Sequence, residues 1–374
     1  MYEMRISLSK IFEIVFFFCL NLSIIYKSSQ IYINGSHLVP TILNIIAVGA
    51  FCAKCFLIRK IGIRDFLCLF IISIIGFIYA AYYLNIGILN IGMAILIAKD
   101  MDFKRIFKYN FVTLLISFLL ICLSSFVGIS SIYAKDVYKL GEIRTLYSFG
   151  FVSSNTPGLF IFAALTAYNL IRSVNIKMKE ILFEFFITGV THVLFASRTA
   201  TITLVLYLIG IVFCKKCLSD KSFKFIMYPW QYSFILFAGI TFYSVFYFDT
   251  SIILAELNVL LSDRLHLLST IFYYSGIHFL GNYNVIDLLG LSVDNAYIFT
   301  LVAYGILMII FYGVVFIYSS KVAYQRGDWS ILMTVIAYEV YGIGENQIFF
   351  STICNVLLIF GYFIMNSNWK NERL

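Results

Sequence analysis

The stretch Lys104–Ser130, KRIFKYNFVTLLISFLLICLSSFVGIS, decides the class of fold. After Lys108 it carries no charge, and this apolar run is as long as the roughly 20 residues that a helix needs to cross a bilayer. The rest of the chain is similar, since 61% of its 374 residues are hydrophobic and 12% are charged. Soluble domains are about 25% charged. The composition therefore excludes a water-soluble globule and indicates an all-α polytopic membrane protein.

Apolar runs of this kind recur along the chain and predict about 12 transmembrane helices. No charged or Ser/Gly-rich low-complexity run separates them. We therefore expect one integral membrane domain, residues 1–374. The predicted helices are residues 11–26, 38–58, 66–84, 86–98, 110–130, 150–171, 180–196, 200–214, 228–248, 296–319, 331–343 and 348–366.

The basic residues between these runs predict the orientation of the chain. With the N-terminus in the cytoplasm, 21 of the 27 Lys and Arg residues fall on inner connections, and both termini are inside. This distribution satisfies the positive-inside rule. The net charge of +8 is therefore a topology signal. It does not indicate nucleic-acid binding, which needs basic residues gathered on one soluble face.

The eight cysteines lie within predicted helices or at their inner ends, so no disulfide is expected. CAKC (Cys52–Cys55) and CKKC (Cys214–Cys217) have the spacing of zinc ligands, but neither pair has a nearby histidine. We expect no metal site and no cofactor.

The longest outer connection, residues 249–295, is predicted to be the main extracytoplasmic loop, after the ninth of the helices above. In its first half Glu256, Asp263 and His266 fall on one helical stripe, with Ile and Leu elsewhere. This spacing predicts an amphipathic interfacial helix. The alternative is a helix packed on the rim of the bundle. All four histidines also map to the outer half, so we expect the chemistry on that face.

Three outer arginines are candidates for binding phosphate, because the planar guanidinium suits that group. Arg144 precedes a helix, Arg198 lies in the short turn SRTAT, and Arg264 lies on the predicted interfacial helix. For each, the alternative is a contact with a lipid headgroup or a backbone carbonyl. Arg198 is expected to point inward, because a turn this short gives little other reason for an arginine.

Two polar intrusions into apolar runs leave alternatives open. In GFVSSNTPGLF (Gly150–Phe160), Pro157 either breaks a helix beside a cavity or occupies an ordinary first turn. In GIGENQIFF (Gly342–Phe350), Glu345 either marks the membrane surface or completes the cavity.

Several of these segments together resemble Wzy-type O-antigen and capsular polysaccharide polymerases, which belong with the O-antigen ligases. The resemblance covers about Arg144 to Asn355 and is carried by the order of the segments. In one of them, VDNAYIFTLVAYGIL (Val293–Leu307), Asp294 and Asn295 are followed by Gly305. Many relatives have His at the position of Asp294. The other similar segments are RTLYSFGFVSSNTPGLF (Arg144–Phe160), SRTATITL (Ser197–Leu204), DRLHLLSTIFYYSGIHFLGN (Asp263–Asn282) and ENQIFFSTICNVLLIF (Glu345–Phe360).

The resemblance implies a glycosyltransferase of polysaccharide biosynthesis in a bacterial inner (plasma) membrane. Its site would face the periplasm or the exterior. It would transfer a growing glycan from undecaprenyl diphosphate to a lipid-linked oligosaccharide repeat unit, for lipopolysaccharide or capsule. Membrane lipid, a chain-length-regulating co-polymerase and a flippase are the implied partners. The alternatives are an O-antigen ligase, which Asp294 disfavours, and a lipid-linked oligosaccharide flippase or other transporter.

This chemistry needs a base for the acceptor hydroxyl and a group that stabilises the departing pyrophosphate. Asp294 is the expected base, and His266 and His278 are the substitutes. For the pyrophosphate we expect Arg198 and Arg264, supported by Arg144. Residues expected to contact the glycan or acceptor are Asn155, Asn295 and Glu345.

Overall fold

The computed structural model describes residues 2–35, 38–57, 63–83, 87–139, 142–217, 221–261, 263–282, 285–286, 293–349 and 351–365. These residues are mainly helical. In the first part of the chain the elements are α1 (Tyr2–Lys27), α2 (Gln30–Asn34), α3 (Leu38–Leu57), α4 (Ile63–Tyr83), α5 (Gly87–Leu96), α6 (Phe103–Phe126), β1 (Tyr133–Lys139), β2 (Glu142–Tyr147), α7 (Asn155–Arg172), α8 (Met178–Phe195) and α9 (Arg198–Cys217). The remaining helices are α10 (Lys221–Met227), α11 (Ser233–Phe246), α12 (Ile252–Leu260), α13 (Arg264–Ser275), α14 (Ala296–Phe299), α15 (Gly305–Arg326), α16 (Trp329–Gly344) and α17 (Asn355–Met365).

The chain divides into two compact units. Unit 1 comprises Met1–Ile78, Ile86–Gly210 and Ser351–Leu374. Unit 2 comprises Tyr79–Asn85 and Ile211–Phe350. Each unit is therefore built from segments that are distant in the sequence.

Each of the predicted apolar segments overlaps a helix of the structure. Within the described residues, six helical segments are long and apolar enough to cross a membrane, and three apolar helices are shorter. A helical membrane protein is therefore confirmed, whereas the number of crossings and the orientation stay predictions. The six segments are Leu8–Lys27, Leu38–Leu57, Phe103–Phe126, Arg198–Lys215, Phe223–Phe246 and Ala296–Arg326.

A two-stranded hairpin interrupts the helices, and the sequence analysis did not predict it. Strands β1 and β2 pair antiparallel, with Val137 opposite Arg144 and Lys139 opposite Glu142. The hairpin contains β-branched and aromatic residues in YAKDVYKLGEIRTLY (Tyr133–Tyr147), which favour strands.

The helix ends decide between the alternatives at the first polar intrusion and locate Glu345 at the second. Helix α7 begins at Asn155, so Pro157 lies in its first turn, where the N–H that proline lacks would have no partner in the helix. The interpretation of Pro157 as a helix break is therefore wrong. At the other intrusion, two short 3₁₀ turns precede α17. The last helix begins at Asn355 and not near residue 348, and Glu345 lies directly after α16.

Residues 252–275 form two helices where the sequence suggested one. Helix α12 ends at Leu260 and α13 begins at Arg264. Between them Asp263 has a left-handed backbone conformation (φ +62°), which bends the chain. Glu256 and His266 therefore do not share one continuous helical stripe. The interfacial position of this segment stays a prediction.

Candidate functional site

The candidate site lies in unit 2 and is centred on an ion pair. Arg264, the first residue of α13, places its Nη2 atom 3.5 Å from Oδ2 of Asp294, which precedes α14. The two side chains are 33% and 34% exposed. A direct charge-assisted hydrogen bond would be about 2.7–2.9 Å long. The pair is therefore loose and reachable from outside the protein.

The carboxyl end of α16 fixes both sides of this pair. Nη1 of Arg264 donates a hydrogen bond to the carbonyl oxygen of Gly344 (3.0 Å). The side-chain amide of Asn295 donates to the carbonyl oxygen of the preceding residue, Ile343 (2.9 Å). These carbonyls have no partner within the helix and carry its partial negative charge. One helix end thus holds the arginine and the residue next to the aspartate.

Asn295 is a helix cap. Its Oδ1 accepts a hydrogen bond from the backbone N–H of Ile298 (2.9 Å), and the residue is only 2% exposed. Asparagine commonly caps helices in this way. The side chain predicted to contact glycan is therefore engaged in joining α14 to α16, and it sets the backbone direction at Asp294.

Asn258 of α12 fixes the start of α13. Its Nδ2 donates to Oδ1 of Asp263 (3.0 Å), and its Oδ1 accepts from the backbone N–H of His266 (3.0 Å). Asn258 is 7% exposed, so both bonds are shielded from solvent. They hold the bend that places Arg264 at the first position of its helix. The sequence analysis missed Asn258, because an asparagine inside an apolar run carries no specific signal.

A close backbone contact joins the segment after α13 to the turn that precedes α15. A π-helical turn, Thr300–Tyr304, separates α14 from α15. Gly281 and Gly305 both have positive φ (+83° and +80°), and a Cβ on either would overlap backbone atoms of the other segment. The backbone N–H of Asn282 also donates to the carbonyl oxygen of Val302 (2.6 Å). The loop after α13 is therefore locked against the interrupted helix.

An apolar cluster packs against the same elements. It joins α11, α13 and the segment around α14, with Ile271 and Val302 fully buried. Because Leu268 of the helix that begins at Arg264 packs in one cluster with Val293, the neighbour of Asp294, the backbones that carry Arg264 and Asp294 have little freedom to separate. The cluster consists of Val245, Leu268, Ile271, Val293, Ile298 and Val302.

The two histidines predicted as substitute bases are both exposed. The ring of His266 lies against Phe248, with centroids 5.6 Å apart. Nε2 of His278 lies 2.7 Å from the carbonyl oxygen of Ser275, so this nitrogen is a donor. Only Nδ1 of His278 is then left to accept a proton. Glu345, directly after the helix end that binds Arg264, is half-buried.

The other predicted site residues belong to unit 1. Asn155 is half-buried at the start of α7, where its backbone N–H donates to the Ser153 hydroxyl oxygen (3.2 Å). Arg198 is the first residue of α9, after a two-residue turn that includes Ala196 in the left-handed region. Its side chain is exposed, and its inward direction stays a prediction. Arg144 lies in β2, and its side chain is outside the described residues.

No three His, Cys, Asp or Glu side chains in the described parts of the chain are grouped so that they could hold a metal ion. What unit 2 does assemble is one cation and one carboxylate, side by side and partly exposed. These two groups can stabilise an anion and accept a proton, respectively.

Comparisons of this chain with protein-family models, with curated proteins and with solved structures found no match. The resemblance to the polysaccharide polymerases therefore remains a prediction from motifs.

Proposed function

We infer that the protein is a membrane glycosyltransferase that polymerises polysaccharide from undecaprenyl-diphosphate-linked repeat units. The observation that carries this proposal is the Arg264–Asp294 pair, with its 3.5 Å separation and its two partly exposed side chains. The sequence named both residues for complementary roles, although 30 positions separate them. Their meeting in space is what such a site requires. Membrane helices around it would give lipid-linked substrates access from the bilayer.

The reaction assigns one task to each group. The acceptor hydroxyl oxygen attacks the anomeric carbon of the donor glycan and forms the new glycosidic bond. Its proton passes to the Asp294 carboxylate. The bond from that carbon to the diphosphate oxygen breaks, and its electron pair leaves with the diphosphate. Arg264 stabilises this developing charge. No redox partner is needed.

The weak pairing of Arg264 with Asp294 implies that the diphosphate binds before the proton is transferred. A carboxylate and a diphosphate compete for the same guanidinium, and the diphosphate carries more charge. Because Arg264 is also held by the Gly344 carbonyl, it stays in place when its carboxylate partner is exchanged. Donor binding would thus release the Asp294 carboxylate from Arg264, and this carboxylate then accepts the proton.

The test is elongation by purified protein in detergent, with synthetic undecaprenyl diphosphate repeat units and a gel that displays the product ladder. We expect Arg264→Ala and Asp294→Asn each to lower the rate on the order of a hundredfold. Arg264→Lys keeps the charge and loses the planar fork, so its rate should fall between those of wild type and Arg264→Ala.

The matched control is Arg326→Ala. Arg326 is also in unit 2 and paired with an aspartate, Asp328, at 2.6 Å. It lies at the far end of α15, about 30 Å along the helix from Gly305 at 1.5 Å per residue. Ladders of normal rate from folded Arg264→Ala and Asp294→Asn would contradict the proposal. Absence of a ladder with every donor, together with lipid movement in vesicles, would identify a transporter instead.

A further inference from the structure

A buried carboxyl group in unit 1 has no role in the proposed reaction. Glu184, in α8, is 2% exposed. Its Oε2 accepts a hydrogen bond from Nδ2 of Asn169 in α7, at 2.7 Å. Asn169 is 1% exposed, so water does not reach either group readily. A carboxyl inside a helical membrane protein calls for a stated charge partner.

The remaining oxygens of this pair lack donors. Glu184 Oε1 and Asn169 Oδ1 are both buried and receive no hydrogen bond. Glu184 Oε1 shares its carboxyl carbon with Oε2, and Asn169 Oδ1 shares its amide carbon with Nδ2; Nδ2 and Oε2 are the atoms of the 2.7 Å hydrogen bond. A carboxylate and an amide oxygen can only accept, so the ionised form leaves both of these acceptors unsatisfied. Two unsatisfied buried acceptors are costly.

One proton supplies the missing donor. When Oε1 carries hydrogen, the carboxylic acid can donate to Asn169 Oδ1 while the amide N–H donates to Oε2. The two groups then form a closed ring with two hydrogen bonds, and no charge is buried.

Among the side chains that the structure describes, the charged groups around the pair do not offer an alternative. Glu180, one turn earlier in α8, is negative and therefore favours the neutral form of Glu184. At the end of α7, Arg172 pairs with Glu180 through its Nη2 atom at 2.7 Å. The Tyr168 hydroxyl also donates to Glu180 Oε1 (3.0 Å). Strand β2, which also packs on α8, carries Glu142 and Arg144, whose side chains lie outside the described residues.

We propose that Glu184 is a proton-binding site: it holds one proton at neutral pH, shares it with Asn169, and thereby joins α7 to α8. Loss of that proton places an uncompensated charge between the two helices. Proton binding and the packing of α7 on α8 are therefore linked. This inference is independent of the polymerase proposal, because none of its residues belongs to the Arg264–Asp294 site.

The first test is the infrared spectrum of the purified protein in detergent at neutral pH. A protonated carboxyl group gives a carbonyl band distinct from that of a carboxylate, and the band shifts in D₂O. We expect Glu184→Gln to remove one such band. Glu180→Gln is the matched control, since Glu180 is one turn away, ion-paired and 23% exposed, and the band should persist in it.

The second test is thermal stability as a function of pH. An exposed glutamate ionises near about pH 4.3, so at neutral pH the folded protein binds one proton more than the unfolded chain. Its unfolding free energy should then fall as the pH rises. Glu184→Gln supplies a permanent N–H donor. Its Tm should therefore equal that of wild type at neutral pH and exceed it increasingly as the pH is raised.

Two results would overturn the proposal. One is a wild-type spectrum without a protonated band that Glu184→Gln removes. The other is a difference in Tm between wild type and Glu184→Gln that stays constant with pH. If Glu184→Gln does not fold, Asn169→Leu keeps the acid and removes its acceptor. The acid band should then move to the higher frequency of an unbonded carbonyl, and an unmoved band would contradict the pairing.

Discussion

Two ion pairs in this chain are held in opposite ways. In unit 1, Glu13 Oε1 and Lys54 Nζ are 3.2 Å apart, and the side chains are 1% and 2% exposed. Lys54 also donates to the backbone carbonyls of Ile97 and Lys99. In unit 2, Arg264 and Asp294 are 3.5 Å apart and about one third exposed. The first pair is closed to solvent, and the second is open.

The neutral polar groups of unit 1 are closed in the same way. Asn110 donates to Asn355 Oδ1 (2.8 Å) and accepts from Asn21 Nδ2 (3.0 Å). Asn355 in turn donates to the Thr166 hydroxyl (2.9 Å). All four residues are 0% exposed. A network of this kind specifies how helices pack in an apolar surrounding, and it has no room for a ligand. The comparison teaches that the exposed fraction of the side chains and the length of their contacts, more than their polarity, distinguish a candidate substrate site from a structural contact.

Breaking the closed pair should give the largest effect on stability. Lys54→Met removes the buried cation of Glu13 and leaves Arg105, whose Nε lies 3.4 Å from Glu13 Oε2. Loss of one partner of a buried pair lowers the unfolding free energy by about 3–5 kcal/mol, and the remaining Arg105 charge should keep the loss at the lower end of that range. Arg264→Met opens a partly exposed pair, for which about 1 kcal/mol or less is expected. Denaturant unfolding in detergent measures both.

Glu13→Gln combined with Lys54→Met is the control, because it removes both charges and should recover part of the loss. Equal destabilisation by Lys54→Met and Arg264→Met would abolish the distinction between the closed pair and the open pair.

The backbone contact between Gly281 and Gly305 should be nearly as sensitive to substitution. Gly305→Ala forces a Cβ into the backbone of Gly281 and Phe279, in addition to a strained positive φ. Gly327 also has a positive φ (+72°), but a Cβ there meets nothing within 4 Å. Gly327→Ala thus reports the backbone strain alone, about 1–3 kcal/mol. We expect Gly305→Ala to lower the Tm further and to reduce elongation, whereas similar Tm values for the two variants would show that the loop can move aside.

Hydropathy was enough to predict where the helices lie, because a membrane-spanning helix needs a long apolar run whatever its neighbours are. It was not enough for the interruptions. The break before Gly305 depends on a backbone contact with Gly281, and the bend at Asp263 depends on Asn258. Both are contacts between segments that a single helical pattern does not display.

The site residues were predicted by type and only partly by role. Arg264 and Asp294 carry charges that suit their expected tasks, but nothing in the sequence said that they pair. Asn295 was interpreted as a substrate contact, although an asparagine just before AYIF is also a helix-cap signal. Arg198 was expected to point inward, and its side chain is exposed at the first position of α9.

Removing the cap should have a moderate effect that separates positioning from binding. Asn295→Ala loses the bonds to Ile298 and Ile343 and should lower the unfolding free energy by about 0.5–2 kcal/mol. Asn295→Asp keeps the cap acceptor but loses the donor to Ile343. If Asn295 acts by orienting Asp294, both variants should lower kcat more than they raise KM for the acceptor. A change confined to KM would favour the original assignment to substrate binding.

The smallest expected effect concerns a closed pair within unit 2. Asp328 is 11% exposed and lies 2.6 Å from Nε of Arg326. Burial raises the pKa of Asp328, and the charge and hydrogen bond of Arg326 oppose this rise without cancelling it. The folded state then holds this proton more tightly than the unfolded chain, in which aspartate ionises near about pH 3.9. The contribution of Asp328 to stability is therefore present below that pH and is lost as the pH rises through the pKa of Asp328 in the folded state. The loss is about 1.4 kcal/mol for each unit by which the folded pKa exceeds the unfolded pKa.

The test is a series of Tm values against pH. In Asp328→Asn this decline should be absent, and it should persist in Asp294→Asn. If both variants followed the wild-type curve, burial at Asp328 would have no influence on its titration, and a small exposed fraction would no longer separate the closed pairs from the open one.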